Sequence, residues 1–222
     1  MTAGPAELTL LHTSPAHVPV FDALRDADHP GAGLRHVVAP GLLERARAEG
    51  PASVTADLRG LLAGAGTPVL VTCSTLGSVA ESLAGAAGTR VLRVDRPMAA
   101  RAVRTGPRVV VLATVESTFA PTAELLAEEA AGRPLEVRTL LVPGAWERFA
   151  AGDAPGCHAA VARAVEAVTD ADVVVLAQAS MAPAEALART PLPVLSSPRP
   201  GLDAALRLIG HPGPRSPGRA GR

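Results

Sequence analysis

Unbroken runs of Val and Leu, each followed by a stretch with helical spacing, constrain this chain more than any other feature. Val109-Val110-Val111-Leu112 and Val173-Val174-Val175-Leu176 are the clearest. A strand with one wet face alternates apolar and polar residues, whereas a continuous apolar run fits a parallel strand covered on both faces. Segments 7–11, 34–39, 69–72, 90–94, 108–112, 136–142, 172–177 and 193–196 all read as strands. Between them, Leu76, Val79 and Leu83 share one helix face. So do Val161, Val165 and Val168, and likewise Val54, Leu58, Leu61 and Leu62. Regular strand–helix alternation with short links predicts an α/β fold with parallel sheets and right-handed crossovers. The strands suffice for one sheet of about eight or two of about four.

Hydrophobic residues make up 48% of the 222, enough for a full core, but aromatics are only 2%, so the core must be aliphatic. Arg plus Lys and Asp plus Glu both number 21, and no basic stretch is long, which argues against a nucleic-acid partner. So few aromatic rings also leave no stacking platform for bases. No apolar run approaches the roughly 18 to 20 residues of a membrane span. Met1-Thr2-Ala3-Gly4-Pro5 has no basic flank or apolar signal segment, so a cytoplasmic protein is expected. Cys73 and Cys157 are far apart and expected to be reduced, and without nearby His pairs they make no zinc site. The final stretch, 211–222, is mostly Pro, Gly and Arg and reads as a disordered tail.

Ligands of parallel α/β sheets bind beyond the carboxyl ends of the strands. Four such ends carry small polar residues: His12-Thr13-Ser14-Pro15, Thr72-Cys73-Ser74-Thr75, Thr114-Val115-Glu116-Ser117-Thr118, and Gln178-Ala179-Ser180. Hydroxyls and backbone N–H groups at helix starts make a cradle for a carboxylate or phosphate. The same Ser and Thr residues also serve as ordinary N-caps. A thiol at the Cys73 turn sits near the positive end of the next helix, which lowers its pKa and favours the thiolate. Against this, free cysteines are commonly small buried hydrophobes. His12 reads as a polar strand-end residue, Cys157 as packing, and Glu116 as a solvated carboxylate. No Gly-rich dinucleotide fingerprint or phosphate loop is present. Gly64-Ala65-Gly66 follows a helix and reads as its C-terminal turn.

Several segments, in order along nearly the whole chain, resemble the aspartate/glutamate/hydantoin racemase superfamily. They are Leu11-His12-Thr13, Val71-Thr72-Cys73-Ser74-Thr75-Leu76-Gly77, Val94-Asp95-Arg96-Pro97-Met98, and Leu112 through Thr118 to Pro121-Thr122. Gly144-Ala145-Trp146, Val175 through Met181, and Val194-Leu195-Ser196-Ser197-Pro198 complete the set. The resemblance implies two pseudo-symmetric α/β lobes, each a roughly four-stranded, mainly parallel sheet flanked by helices, with the active-site cleft between them. The first lobe would comprise 1–97 plus 198–210, and the second 98–197.

The resemblance also implies cofactor-independent chemistry on a small carboxylate, of amino-acid or hydantoin type, with no metal. Two family cysteines face each other across the substrate, one removing the proton next to a carboxylate and the other returning one. Cys73 matches the first. Thr75, Thr114, Ser117 and Thr118 match turns that hold the carboxylate, and Ser14 matches a polar position after the first strand. Ser74 adjoins the thiol. The second cysteine's place falls to Gln178, with Ser180 close by, and Cys157 lies too early to substitute. That departure puts a symmetric two-cysteine racemization in doubt. It leaves one-base racemase or isomerase chemistry, a single-cysteine decarboxylase or lyase, and a catalytically inert carboxylate-binding protein as readings. Arylmalonate decarboxylases of the same superfamily also use a single cysteine, though in the other lobe. A homo-oligomer is compatible with the chain.

Overall fold

A computed structural model describes residues 7–211. The strands are β1 (Glu7–His12), β2 (Gly33–Val38), β3 (Val69–Val71), β4 (Val91–Arg93), β5 (Arg108–Ala113), β6 (Glu136–Leu141), β7 (Val173–Leu176) and β8 (Val194–Ser196). The helices of the first half are α1 (His17–Asp28), α2 (Pro40–Glu49), α3 (Thr55–Ala63), α4 (Ser74–Ser82) and α5 (Ala84–Ala87). Then come α6 (Arg96–Thr105), α7 (Phe119–Ala130), α8 (Ala145–Ala150), α9 (Ala154–Glu166), α10 (Ala184–Leu187) and α11 (Pro198–Leu208). All eight expected strands form, with ends shifted by a residue or two. They build two four-stranded sheets, ordered β2-β1-β3-β4 and β6-β5-β7-β8. Every neighbouring pair is parallel.

The unbroken apolar runs became central strands. β7 is buried at every position, and β5 at all but its first, whereas the edge strands β2 and β6 are half-exposed. Successive strand side chains point to opposite faces, and each sheet divides its residues accordingly. Val110, Leu112, Val174 and Leu176 pack on Val161 and Val165 of α9. Val109, Val111, Val173 and Val175 pack on Met98 of α6 and Leu125 and Leu126 of α7. In the first sheet, Leu11, Val69 and Val71 meet Leu58, Leu62 and Leu76, while Leu8, Leu10 and Leu70 meet Phe21, Leu202 and Leu206. Leu61 departs from its expected face: it is 37% exposed, because the buried side of α3 is set by Leu58 and Leu62.

Polar ties join the halves. Arg93 and Asp95, each about 1% exposed, form a bidentate pair at 2.9 and 3.0 Å, and Arg93 also donates to the Pro121 carbonyl at 3.3 Å. Gly77 makes room for Arg93: a Cβ there would lie 2.6 Å from its Nε. Arg96 on α6 binds Glu81 of α4 and Glu128 and Glu129 of α7. Among the described residues no helix is long and apolar enough to cross a membrane, and no cluster of three metal-ligating side chains occurs. The N-terminal residues 1–6 and residues 212–222 of the expected tail lie outside the described residues.

Candidate active site

In each sheet the strand order reverses once, between β1 and β3 and between β5 and β7. Chains leave in opposite directions at such a point and open a crevice at the strands' carboxyl ends. The two crevices face each other and line a cavity of about 60 Å³. Its polar wall comprises Thr13, Ser14, Thr72, Cys73, Ser74, Thr75, Thr118, Gln178 and Ser180. His17 of α1 adjoins them, and Leu43, Arg47, Trp146 and Phe149 close the apolar side.

Cys73 connects β3 to α4 in an extended conformation, with φ −104° and ψ 114°, and is only 8% exposed. Burial raises its pKa above the ordinary thiol value. The Thr13 hydroxyl and the backbone N–H groups of Leu76 and Thr75 pull the other way without prevailing. The expectation of a thiol lowered by the helix start is therefore corrected: the helix lends its N–H groups, but desolvation of the charged form outweighs them. The resting group is a thiol.

The strand-end hydroxyls do not cap helices. Among the described helices only α9 has a side-chain cap, the Asp153 carboxylate accepting from Gly156 N. Ser74 Oγ instead crosses the cleft and donates to the Ala177 carbonyl at 2.9 Å. Ser14 Oγ accepts from Ala16 N at 3.3 Å, shaping the turn into α1. Gln178 is held from behind: its Oε1 accepts from Thr114 N at 2.6 Å and Thr114 Oγ1 at 2.9 Å, which leaves the amide NH₂ free to donate. His158 of α9 bonds the Ser180 carbonyl at 3.0 Å and steadies that turn.

Of the residues singled out in the sequence, Cys73, Ser14, Ser74, Thr75, Thr118, Gln178 and Ser180 line one cavity. Two do not. Thr114 is buried behind Gln178, and Ser117 is exposed on a short 3₁₀ turn that directs its side chain outward. Cys157 is fully buried in the aliphatic core beside Val161. Sequence reasoning passed over His17, Arg47, Trp146 and Phe149. Trp146 and Phe149 had a signal, being two of four Phe and Trp residues in the chain. Their ring centres lie 5.9 Å apart with the planes tilted by 34°, and Arg47 from the opposite lobe lies 4.8 Å over the Trp146 ring, bridging the cavity mouth.

No family model and no curated protein matches the sequence. Solved structures do match in fold. Picrophilus torridus aspartate racemase superposes with a TM-score of 0.66 at 12% identity, covering 94% of this chain and 96% of that one. Allantoin racemase from Pseudomonas fluorescens gives 0.62 at 16%, covering 92% and 91%. Arylmalonate decarboxylase gives 0.58 at 21%, covering 96% of each chain. The fold is thus the two-sheet α/β architecture of these racemases and of the decarboxylase, as the sequence resemblance implied.

Proposed function

We propose that this protein is a cofactor-independent enzyme that moves a proton at the carbon next to a carboxylate, with Cys73 as the group that carries it. The single observation behind this reading is the Cys73 thiol, itself buried, on the wall of a cavity built from the ends of both sheets. The substrate is a small amino-acid-like or hydantoin-like carboxylate, in keeping with the racemases that share the fold. Its carboxylate is held by hydroxyls of Ser14, Thr75 and Thr118, by the Gln178 amide, and by the N–H groups at the start of α4, while the Ser74 hydroxyl, donating to the Ala177 carbonyl, ties the two walls together. A carbanion with enediolate character gains most from donors already fixed in place. The Gln178 amide, anchored through its Oε1 to Thr114 with its NH₂ left to donate, meets that requirement.

A single-cysteine decarboxylase or lyase is the second reading, favoured by two observations. Gln178 stands where a second acid–base group would serve the opposite face. The buried Cys73 rests as a thiol, which can give a proton to a carbanion formed by loss of carbon dioxide, whereas a racemase must first ionise it. In the first reading the thiolate takes the α-proton and a proton returns from water on the other face.

Proton NMR in deuterated water with amino acids, hydantoins and substituted malonates tests both. Exchange of the α-hydrogen by native protein but not by Cys73→Ala is the expected result for proton abstraction. Loss of carbon dioxide with one solvent deuterium gained identifies the decarboxylase. Turnover retained in Cys73→Ala overturns the assignment, and tight carboxylate binding without turnover identifies an inert binding protein.

A further inference from the structure

A line of buried polar groups runs from the cavity wall to the surface, and the chemistry above does not use it. It starts at Thr72, which lines the cavity beside Cys73. Thr72 Oγ1 lies 2.8 Å from His12 Nδ1 and 3.1 Å from the Leu11 carbonyl. His12 is fully buried at the end of β1, and its Nε2 lies 2.8 Å from His36 Nδ1. The two rings are nearly coplanar, 16° apart, as an in-plane bond between them requires. His36 Nε2 reaches Asp22 Oδ1 at 3.4 Å, and Asp22 is 35% exposed.

These atoms can be satisfied in two complete ways. In one, Thr72 O–H donates to His12 Nδ1, His12 Nε2–H donates to His36 Nδ1, and His36 Nε2–H donates to the Asp22 carboxylate. In the other, every bond is reversed: Asp22 O–H donates to His36 Nε2, His36 Nδ1–H to His12 Nε2, and His12 Nδ1–H to Thr72 Oγ1. The Thr72 hydroxyl then turns to the Leu11 carbonyl. The second arrangement holds one more proton than the first.

We propose that Thr72, His12, His36 and Asp22 form a proton relay between the cavity wall beside the buried Cys73 and solvent. The proposal rests on the proton-transfer reading of Cys73. A proton leaving the cavity binds Thr72 Oγ1 while the original hydroxyl proton passes to His12 Nδ1. His12 Nε2–H passes to His36 Nδ1, and His36 Nε2–H to Asp22, which releases it to water. The reverse sequence brings a proton in and reprotonates Cys73 through water in the cavity. Burial, with His17 and His36 nearby, holds the His12 pKa at about 3, so His12 stays neutral and works by changing tautomer. The other polar or charged groups facing the relay are Arg25, 3.0 Å from Asp22, and His17, whose ring centre is 6.1 Å from that of His12.

Nitrogen-15 NMR of histidine-labelled full-length protein reads the tautomers without any substrate. His12 and His36 should both carry Nε2–H at neutral pH and convert together to Nδ1–H as acid is added. In His36→Gln the conversion of His12 should be lost. A His12 fixed in one tautomer throughout overturns the relay. During turnover, His36→Gln should lower kcat about tenfold or more with KM and Tm unchanged. A native kcat in that variant also overturns it. Native protein without turnover on any substrate sinks the Cys73 reading instead, and the tautomers still decide the relay.

Discussion

The two halves share one strand order and one architecture, yet they furnish the cleft with different chemistry. In the first half the third strand ends in Cys73 and runs into α4, nine residues long. In the second, the corresponding strand ends in Gln178 and runs into a three-residue 3₁₀ turn. A full helix start supplies several free N–H groups to a neighbouring anion, and a short turn supplies few. The thiol thus sits where an anion has support, and the amide sits where a neutral donor suffices. The first half also gathers His12, His17 and His36 around its strand ends, with His12 fully buried, while the second has Thr114 and Gln178. The same backbone thus carries a thiol with histidines on one side and an anchored amide on the other.

Substitutions at the two strand ends break this contrast most severely. Cys73→Ala should reduce turnover by about 10³-fold or more while the circular dichroism and Tm stay near native. Cys157→Ala, in the second half, should keep activity and cost roughly 1 kcal/mol through its small cavity, measured by urea unfolding. If the two variants lose activity equally, the asymmetry assigned to the halves is wrong.

The ion pairs come next. Replacing Arg93 by Met leaves the Asp95 charge buried and alone, and should cost about 3–5 kcal/mol in urea titration. The half-exposed Arg108 of the second half pairs with Asp172, and Arg108→Met should leave the urea midpoint close to native, since water screens the pair. Equal costs would mean that the buried pair is not isolated from solvent.

Gln178→Cys tests whether the missing thiol alone separates this chain from a two-cysteine site. The variant loses the acceptor of two Thr114 bonds, at about 1–3 kcal/mol. In the decarboxylase reading, chiral chromatography should show product of mixed configuration where native protein gives one. Unchanged stereochemistry would place the second proton elsewhere.

A pH dependence centred on the histidines of the first half completes the contrast. Burial lowers His12 to about 3 and His17 to about 4, both from 6.5. Their unfolded forms bind protons that the folded forms refuse, so the stability this confers is present above pH 6.5 and lost as pH falls towards those values. Amide exchange at pH 5 should show protection falling first around β1 and α1, with β5 and β7 following later. For Cys73 the shift is upward, so thiol burial stabilises below the ordinary thiol pKa and ceases to do so above it.

Much of the fold was legible because parallel central strands write themselves as unbroken aliphatic runs. Val109 to Leu112 and Val173 to Leu176 left no alternative to buried strands. Leu61 misled because helix spacing admits more than one apolar stripe, and only the placement of α3 on the sheet selects which is buried. At the site, hydroxyl-rich strand ends singled out Cys73, Ser74 and Gln178, and the fold brings all three to one cavity. Ser117 belonged to the same turn as Thr118 but points outward, a difference of one residue on a 3₁₀ turn. His17 and Arg47 gave no sign, since nothing local in α1 or α2 says which helix face meets the cleft.

The sequence by itself determined the strands, their parallel pairing, an aliphatic core and the polar turns at the strand ends, because these follow from short-range periodicity and composition. The tertiary structure decided the rest. It brought Ser74 to Ala177 and Arg47 to Trp146 across the cleft, aligned His12, His36 and Asp22 into a chain, and set Cys73 as a buried thiol. Those outcomes depend on distances between residues far apart in sequence and on how much water each group loses, quantities that exist only once the lobes have packed.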